Sequence, residues 1–130
     1  MKAISINPFY TMAMLQGHKT IECRSWKTDY RGDLLICSTK PKIPETIPGH
    51  ALCIVELYDI VPFKKKHLHD AFMEQMPEKS SFAWIFRNLR YIRPFPVKGQ
   101  QRLWECDHDI VFIDDDDEES ANKYIIPLIV

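Results

Sequence analysis

Long apolar runs, paired cysteines and glycine-rich loops are all missing from this sequence of 130 residues. A membrane helix needs roughly 20 apolar residues in succession. The longest runs here are residues 51–55 and residues 125–130, which a proline interrupts, so no membrane partner is expected. The N-terminal segment has neither the apolar stretch nor the cleavage site of a signal peptide, and we therefore expect a cytoplasmic location.

The four cysteines, Cys23, Cys37, Cys53 and Cys106, are widely separated and form no Cys-x-x-Cys pair. Three of them fall in apolar, strand-like runs, which is typical of reduced and buried thiols, and no disulfide is predicted. The histidines lack the spacing of metal ligands, and there is no Gly-rich phosphate loop or Gly-x-Ser-x-Gly elbow. The sequence therefore predicts neither a metal site nor a cofactor.

The formal net charge of −1 hides two oppositely charged parts. Residues 1–104 contain 16 basic and 9 acidic residues, a balance of +7, whereas residues 105–130 contain nine acidic residues and one lysine, a balance of −8. A basic body is the electrostatic footprint expected for a polyanion partner, although it is also a common solvated surface. The acidic run of residues 114–119 is predicted to be a solvated loop.

Alternation of apolar and polar residues predicts a chain dominated by short strands. They are predicted at residues 2–6, 20–24, 34–38, 51–60, 82–86, 89–93 and 103–105. With 45% apolar residues and no internal repeat, the chain is predicted to be one mainly β (α+β) domain, a small and partly closed barrel with two short helices at its ends. Residues 124–130 are expected either to add a strand or to contact a second copy.

Helix-terminus residues predict where the two helices lie. Asn7 and Pro8 are typical of an N-cap and a first helical position, and Gly17 of a helix end, so a first helix is predicted over residues 8–16. The spacing of apolar residues predicts a second, amphipathic helix over residues 65–75.

The densest group of chemically useful side chains is the segment GHKTIECR, where the first helix turns directly into a strand. Strand alternation places Ile21 and Cys23 toward the core, and Glu22 and Arg24 on the opposite, polar face. Lys19 adds a compact cation in the turn. The segment therefore either delivers three charged groups to the mouth of the barrel or ends a helix with an ordinary exposed ion pair.

This segment resembles the Gly-x-Lys-x-x-Glu-x-Arg signature of the ASCH domain, a branch of the PUA-like superfamily, with Gly17, Lys19, Glu22 and Arg24 at its four positions. The similarity spans about residues 2–105. It continues through residues 25–32 and 34–36, and it reappears at residues 83–84, 94–99 and 103–104. The resemblance implies a PUA-like β-barrel over residues 1–105, with residues 106–130 as an acidic loop and C-terminal extension packed on the same domain.

The resemblance also implies a cleft beside the signature that binds single-stranded RNA or a modified nucleoside. Such a site needs an aromatic surface for the base, polar groups for its edge and cations for phosphates. Trp84 and Trp104 are expected in the core, whereas Trp26 lies in a polar loop and is the better stacking candidate. The predicted binding residues are Lys19, Glu22, Arg24, Trp26, Lys27, Tyr30, Arg31 and Lys98.

A hydrolase is the first alternative. Some ASCH relatives hydrolyse the acetyl amide of N4-acetylcytidine with the signature lysine, a threonine and a glutamate, and ribonuclease activity is also attributed to the family. For an enzyme, the resemblance implies Lys19, Glu22 and Glu74 as catalytic residues, with Lys19 as base or nucleophile. Glu22 replaces the threonine, however, and a neighbouring carboxylate favours the charged, non-nucleophilic form of the lysine.

A protein-interaction adaptor is the second alternative, because the acidic run of residues 114–119 is suited to a basic partner. The same run is also suited to covering the basic face of the domain, where it would compete with nucleic acid.

Overall fold

The computed structural model describes residues 1–113, 119 and 121–129. Six β-strands and one α-helix form the body of the domain. In chain order they are β1 (Lys2–Ile6), α1 (Pro8–Leu15), β2 (Ile21–Arg24), β3 (Gly32–Ser38), β4 (His50–Pro62), β5 (Phe82–Pro96) and β6 (Leu103–Glu105). No helix among the described residues has the length and apolar character needed to cross a membrane.

All six strands belong to one curled sheet, in the order β2-β5-β4-β3-β1-β6. Strands β1 and β3 pair in parallel, and α1 lies on the connection that leaves β1. The other pairs, β1/β6, β2/β5, β3/β4 and β4/β5, are antiparallel. This half-barrel confirms the predicted mainly β, partly closed barrel.

Helix α1 begins and ends as its sequence predicts. The Asn7 side chain accepts a hydrogen bond from the backbone N–H of Phe9 at 3.0 Å, and Pro8 occupies the first turn. Gly17 adopts a φ of +79°, a left-handed conformation that costs glycine little and stops the helix. The chain is then free to reverse into β2.

The second predicted helix, over residues 65–75, is wrong in its extent. Only Lys65–His67 forms a 3-10 helix, and turns follow it. The reason is tertiary, because the Asp70 carbonyl accepts from the backbone N–H groups of Thr20 and Ile21 at 2.9 and 3.1 Å. Because this carbonyl already accepts two hydrogen bonds from the start of β2, it does not accept from the N–H four residues later, as a regular α-helix requires.

Residues 82–96 form one long strand, where the sequence predicts two short strands and a connector. Strand β5 pairs with β4 from Pro62 opposite Phe82 to His50 opposite Pro96. Asn88 interrupts the ladder with a φ of +57°, and the register shifts beside it. Asn88 therefore marks a β-bulge inside β5 and not a strand end.

Strand β3 is buried on both faces of the sheet. Leu34 and Ile36 join the larger apolar cluster, to which α1 also contributes. Leu35 and Cys37 point the other way and pack in a second cluster with Trp104. Alternation along one strand therefore supplies both halves of the core.

The two tryptophans predicted to be core residues are confirmed there, with Trp84 fully buried and Trp104 9% exposed. All four cysteines are free. Burial raises the pKa of the Cys53 thiol to about 12, and it raises the pKa of Cys37 as well. Thiols with such raised pKa values carry almost no thiolate at neutral pH and pack as apolar groups.

The chain beyond β6 returns to the domain. The backbone N–H of Arg93 in β5 donates to the Val111 carbonyl at 2.7 Å, and the N–H of Ile113 donates to the Tyr91 carbonyl at 3.0 Å. Residues 121–129 are helical, so the strand considered for the C-terminus is wrong, and Leu128 packs against the larger core cluster. Residues 114–118 of the acidic run lie outside the described residues.

The bulge in β5 gives a stability prediction. A left-handed backbone costs an ordinary L-residue about 1–2 kcal/mol, a cost that asparagine and glycine largely escape. We expect Asn88→Val to lower the free energy of unfolding by about that amount, whereas Asn88→Gly leaves it nearly unchanged. Urea unfolding measures the free energy of unfolding of both variants, which can be compared directly when their m-values are equal. An Asn88→Val protein as stable as Asn88→Gly contradicts this account of the bulge.

A bidentate pair across the sheet gives a pH prediction. Arg90 donates to Asp33 from Nη1 at 3.0 Å and from Nη2 at 2.6 Å, and these hydrogen bonds lower the pKa of the Asp33 carboxyl. A lowered pKa adds stability above the unfolded-state pKa, which is lost as the pH falls through the folded value. Both side chains are partly exposed, so we expect Asp33→Asn to cost under about 1 kcal/mol at pH 7.

That cost should shrink on acidification below the unfolded-state pKa of an aspartate. Urea unfolding at neutral and acidic pH measures it, with Asp29→Asn as the matched control, because Asp29 is exposed and forms no ion pair within the described part of the chain. If the difference in free energy of unfolding between wild type and Asp33→Asn grew as the pH fell, a lowered pKa of Asp33 would be contradicted.

Candidate functional site

The turn between α1 and β2 carries the signature residues into the interior. After Gly17, the backbone N–H groups of His18 and Lys19 both donate to the Ala13 carbonyl, at 2.9 and 3.2 Å. The next backbone N–H groups, at the start of β2, donate hydrogen bonds to a carbonyl of the loop that follows the 3-10 helix. This closed turn leaves the Lys19 side chain directed inward, with the residue only 3% exposed.

The Lys19 ammonium is fully satisfied by protein oxygens. Its Nζ donates to the backbone carbonyls of Ile21 and Ala71, both at 2.6 Å, and lies 3.1 Å from Glu22 Oε1. It also lies 4.8 Å from the centre of the Tyr10 ring. Three acceptors use all three N–H donors of an ammonium group. Burial lowers the pKa of Lys19, and the Glu22 carboxylate opposes that shift.

Glu22 shares its carboxylate between two cations. Oε1 faces Lys19, and Oε2 lies 2.9 Å from Arg24 Nη2. The same Arg24 nitrogen donates to the Ser5 carbonyl at 2.9 Å. Because Ser5 is in β1 and Arg24 is in β2, this side chain connects two strands that are not neighbours in the sheet. We call Lys19, Glu22 and Arg24 the charged triad.

Of the two alternatives for this segment, the exposed ion pair is wrong, because Glu22 is only 7% exposed. The three charged groups instead meet at the cleft, with both cations within 3.1 Å of the Glu22 carboxylate. Strand alternation still places Ile21 and Cys23 together in a small apolar cluster on the other side. Curling of the sheet brings β1 over the polar face of β2, which is why that face is covered.

Two polar atoms at the triad lack partners. Arg24 Nε and Ser5 Oγ are both buried and form no hydrogen bond within the described residues. Protein atoms cover both of them: neither atom has appreciable accessible surface, and the loop at Gly99 packs so closely on Ser5 Oγ that an added Cβ would lie 2.5 Å from it. An unpaired buried donor or acceptor costs free energy, so this junction of β1 and β2 is held by the remaining contacts of Arg24.

A cleft of about 270 Å³ opens beside the triad. Lys19, Glu22 and Arg24 supply its charged lining, and Tyr10 and Asn7 line it as well. Tyr10 also borders a wider groove of about 690 Å³. The cleft and the groove therefore share the Tyr10 side chain, and the groove alone has the size of a small-ligand site.

Exposed aromatic rings line the wider groove. Phe9 packs against Tyr10 with ring centres 5.3 Å apart, and against Phe72 at 5.6 Å. Phe9 and Phe72 are 48% and 41% exposed, and Phe72 has a φ of +60°. A large side chain in a left-handed backbone is a strained feature of the kind that clusters at functional sites.

These rings escape prediction from the sequence for two reasons. Apolar spacing puts Phe72 on the buried face of the predicted second helix, which does not form. Tyr10 follows the helix cap and carries no motif of its own. Its proximity to Lys19 arises because the turn after α1 folds back on the helix, which only the folded chain shows. The Asn-Pro helix start immediately after β1 is the signal that could have directed attention to Phe9 and Tyr10.

The five other predicted binding residues do not line this cleft. Trp26 packs edge-on against Trp84, with ring centres 4.7 Å apart, and Trp84 Nε1 donates to the Trp26 carbonyl. Lys27 Nζ lies 5.5 Å from the centre of the Phe82 ring. Lys98 is exposed in the loop between β5 and β6.

Tyr30 and Arg31 support their own loop. Tyr30 Oη donates to the Asp33 carbonyl at 2.6 Å. Arg31 Nη1 donates to the carbonyls of Thr28 and Tyr30 at 2.9 and 2.8 Å. These hydrogen bonds shape the segment before β3, away from the charged triad.

Glu74, the third predicted catalytic residue, is exposed and borders the wider groove and not the cleft that contains Lys19 and Glu22. Among the described residues, no three His, Cys, Asp or Glu side chains come together in a way that could hold a metal ion.

Comparison with known proteins agrees with the signature. The family profile of the ASCH domain matches residues 4–114. In sequence, Activating signal cointegrator 1 from Homo sapiens and from Mus musculus is 27% identical over 136 residues, which covers 82% of this chain and 22% of each relative. The chain thus spans about a fifth of the length of those relatives.

Solved structures support the fold. ASCH from Zymomonas mobilis superposes with a TM-score of 0.61 at 18% identity, covering 94% of this chain and 91% of that chain. A mutant form of the same protein gives a TM-score of 0.60 at 17% identity, covering 94% of both chains. The half-barrel is therefore the PUA-like fold that the sequence implies. With a profile match over most of its length, all four signature residues in place and the matching fold, the chain belongs to the ASCH domain family.

Proposed function

We propose that this ASCH domain binds single-stranded RNA, or a modified nucleoside, by accepting one nucleobase into the cleft beside Glu22 and Arg24. The observation that supports this most is a buried carboxylate and a partly exposed guanidinium that line an open cleft together with Tyr10. The family is associated with RNA binding, which agrees with the proposal. The net charge of +7 over residues 1–104 favours a polyanion.

The polar side of the cleft suits the edge of a base. A carboxylate accepts from an exocyclic amino group or a ring N–H, and a guanidinium donates to a ring nitrogen or a carbonyl. Two cations hold the Glu22 carboxylate, so it is presented as an acceptor. The Arg24 side chain is 26% exposed, so its guanidinium is presented as a donor. A base edge with a donor beside an acceptor satisfies both groups.

The aromatic side of the cleft suits the face of a base. Base–aromatic stacking contributes about 1–3 kcal/mol per base and depends little on sequence. Tyr10 borders both the cleft and the groove, and Phe9 and Phe72 extend the aromatic surface outward. A nucleobase beside Tyr10 thus has apolar surface for its rings and the charged triad for its polar edge.

Lys19 has a positioning role in this proposal. All its donors are used by Ile21, Ala71 and Glu22, so a ligand oxygen cannot bind the ammonium without displacing one of them. This revises the sequence-based inclusion of Lys19 among the residues that bind the ligand directly. We assign to Lys19 the task of fixing the inward orientation of Glu22.

The same contacts favour binding over the hydrolase alternative. A neutral lysine has only two N–H donors, which cannot satisfy three oxygen acceptors, so this environment holds the ammonium form against the effect of burial. Glu74 borders the wider groove and is not part of the cleft lining that contains Lys19. The adaptor alternative depends on the acidic run, most of which lies outside the described residues.

Substitution of Arg24 tests the binding proposal. Arg24→Lys keeps the positive charge but removes the planar fork and the Nε donor. We expect it to weaken binding of a fluorescein-labelled, mixed-sequence single-stranded RNA about tenfold or more, since a hydrogen bond to a charged group contributes roughly 1.5–3 kcal/mol. Fluorescence anisotropy measures the affinity, which should also fall as salt is raised.

Lys42→Arg is the matched control, because Lys42 is exposed in the loop before β4 and does not line the cleft. Urea unfolding of Arg24→Lys checks that the domain remains folded. Unchanged RNA affinity in a folded Arg24→Lys protein would overturn the proposal. Chromatography of the same RNA and of N4-acetylcytidine after incubation should show no product, and a product that disappears in Lys19→Ala would favour the hydrolase.

A further inference from the structure

A second aromatic and basic surface lies beyond the end of β2, next to the cleft. Arg102 places its guanidinium carbon 5.0 Å from the centre of the Trp26 ring. Arg102 is exposed and has a φ of +59°. A strained, left-handed arginine above a tryptophan is a feature that stability alone does not require. We call Trp26, Lys27 and Arg102, together with Lys98 of the loop that carries Arg102, the basic ledge.

The loop that carries Arg102 is fixed to the same strand residue that holds Arg24. A Cβ added at Gly99 would lie 2.5 Å from Ser5 Oγ, so the loop backbone packs directly on β1. The Ser5 carbonyl accepts from Arg24 Nη2. The backbone N–H of Val97 donates to the Gly49 carbonyl and secures the start of the loop. The cleft and the ledge therefore share one support.

Lys27 joins the ledge from the segment that follows β2. Its Nζ lies over the Phe82 ring, and Phe82 is the strand partner of Arg24. Trp26 follows Arg24 by only two residues, a span of at most about 7 Å. The triad and the ledge are thus neighbours along the chain as well as in space.

The cations of the ledge carry positive charge that no acidic side chain in the described part of the chain pairs with. Lys27, Lys98 and Arg102 form no ion pair with any described acidic residue. Elsewhere on the sheet, Arg87 pairs with Glu56 and Arg90 with Asp33. Unpaired cations beside a nucleobase site are suited to phosphate groups, which bind Lys and Arg without sequence preference.

From this arrangement we propose that the ligand is an RNA strand that continues from the cleft across the basic ledge, and not a free nucleoside. The inference rests on the proposed function, because the cleft holds the base from which the strand extends. The phosphates next to that base contact Lys27, Lys98 and Arg102. The Trp26–Arg102 pair offers a flat cation–aromatic surface to the adjoining nucleotide.

The salt dependence of RNA binding tests the ledge. Each phosphate interaction that a substitution removes should reduce the slope of log K against log salt by roughly 0.7 for a single strand. We expect Lys27→Gln and Arg102→Gln each to weaken binding of the labelled single-stranded RNA several-fold and to reduce the slope by that amount. Lys42→Gln, an exposed lysine away from the ledge, is the matched control and should change neither quantity. Fluorescence anisotropy over a series of salt concentrations measures both the affinity and the slope.

The outcomes separate the two proposals. If Arg24→Lys weakens binding while Lys27→Gln and Arg102→Gln change neither affinity nor slope, the ledge is overturned and the cleft proposal stands. If Arg24→Lys has no effect, the cleft proposal fails, and the strand path loses its basis. Competition by polyglutamate as effective as that by unlabelled single-stranded RNA would also overturn the ledge as an RNA surface. All three substituted side chains are partly or fully exposed, and urea unfolding confirms that each variant folds.

Discussion

The Glu22 carboxylate is mostly buried at the inner wall of the cleft and is held there by Lys19 on one oxygen and Arg24 on the other. Removing a charge from water is costly, and only close partners offset the cost. Both cations in turn bond backbone carbonyls of other segments: Lys19 the loop at Ala71, and Arg24 the strand at Ser5. One carboxylate thus links the turn after α1, the loop before β5 and strand β1.

This linkage explains where the cleft opens. Strands β1 and β2 are not neighbours in the sheet, so no backbone ladder closes the barrel between them. The Arg24 side chain spans that gap through a single hydrogen bond to Ser5 and leaves its Nε without a partner in the described chain. The seam of the half-barrel is therefore polar, narrow and accessible, which are the properties that base recognition requires. Signature residues that hold the fold together also form the polar side of the cleft.

Local signals in the sequence predict more of the fold than of the site. The Asn7 cap, Gly17 and strand alternation predict α1, β1 and β2, and the core positions of Trp84 and Trp104 follow from their surroundings. The second helix fails because the Asp70 carbonyl bonds β2, an interaction between distant segments that apolar spacing does not report. The charged triad is predicted because its three residues are close in the sequence. Tyr10 and the burial of Glu22 are missed because they depend on contacts between distant segments. The sequence also selects Trp26 as the stacking residue, whereas in the fold this ring packs edge-on against Trp84 and does not line the cleft.

A crystal structure of the domain with a short single-stranded RNA tests most directly whether the charged triad presents a carboxylate and a guanidinium to the edge of one nucleobase. We predict one base beside Tyr10, with its polar edge within hydrogen-bond distance of Glu22 and of the Arg24 guanidinium, while the bonds from Lys19 to Ile21 and Ala71 persist. An RNA strand bound elsewhere, with the cleft beside Glu22 containing only solvent, would contradict this role of the triad.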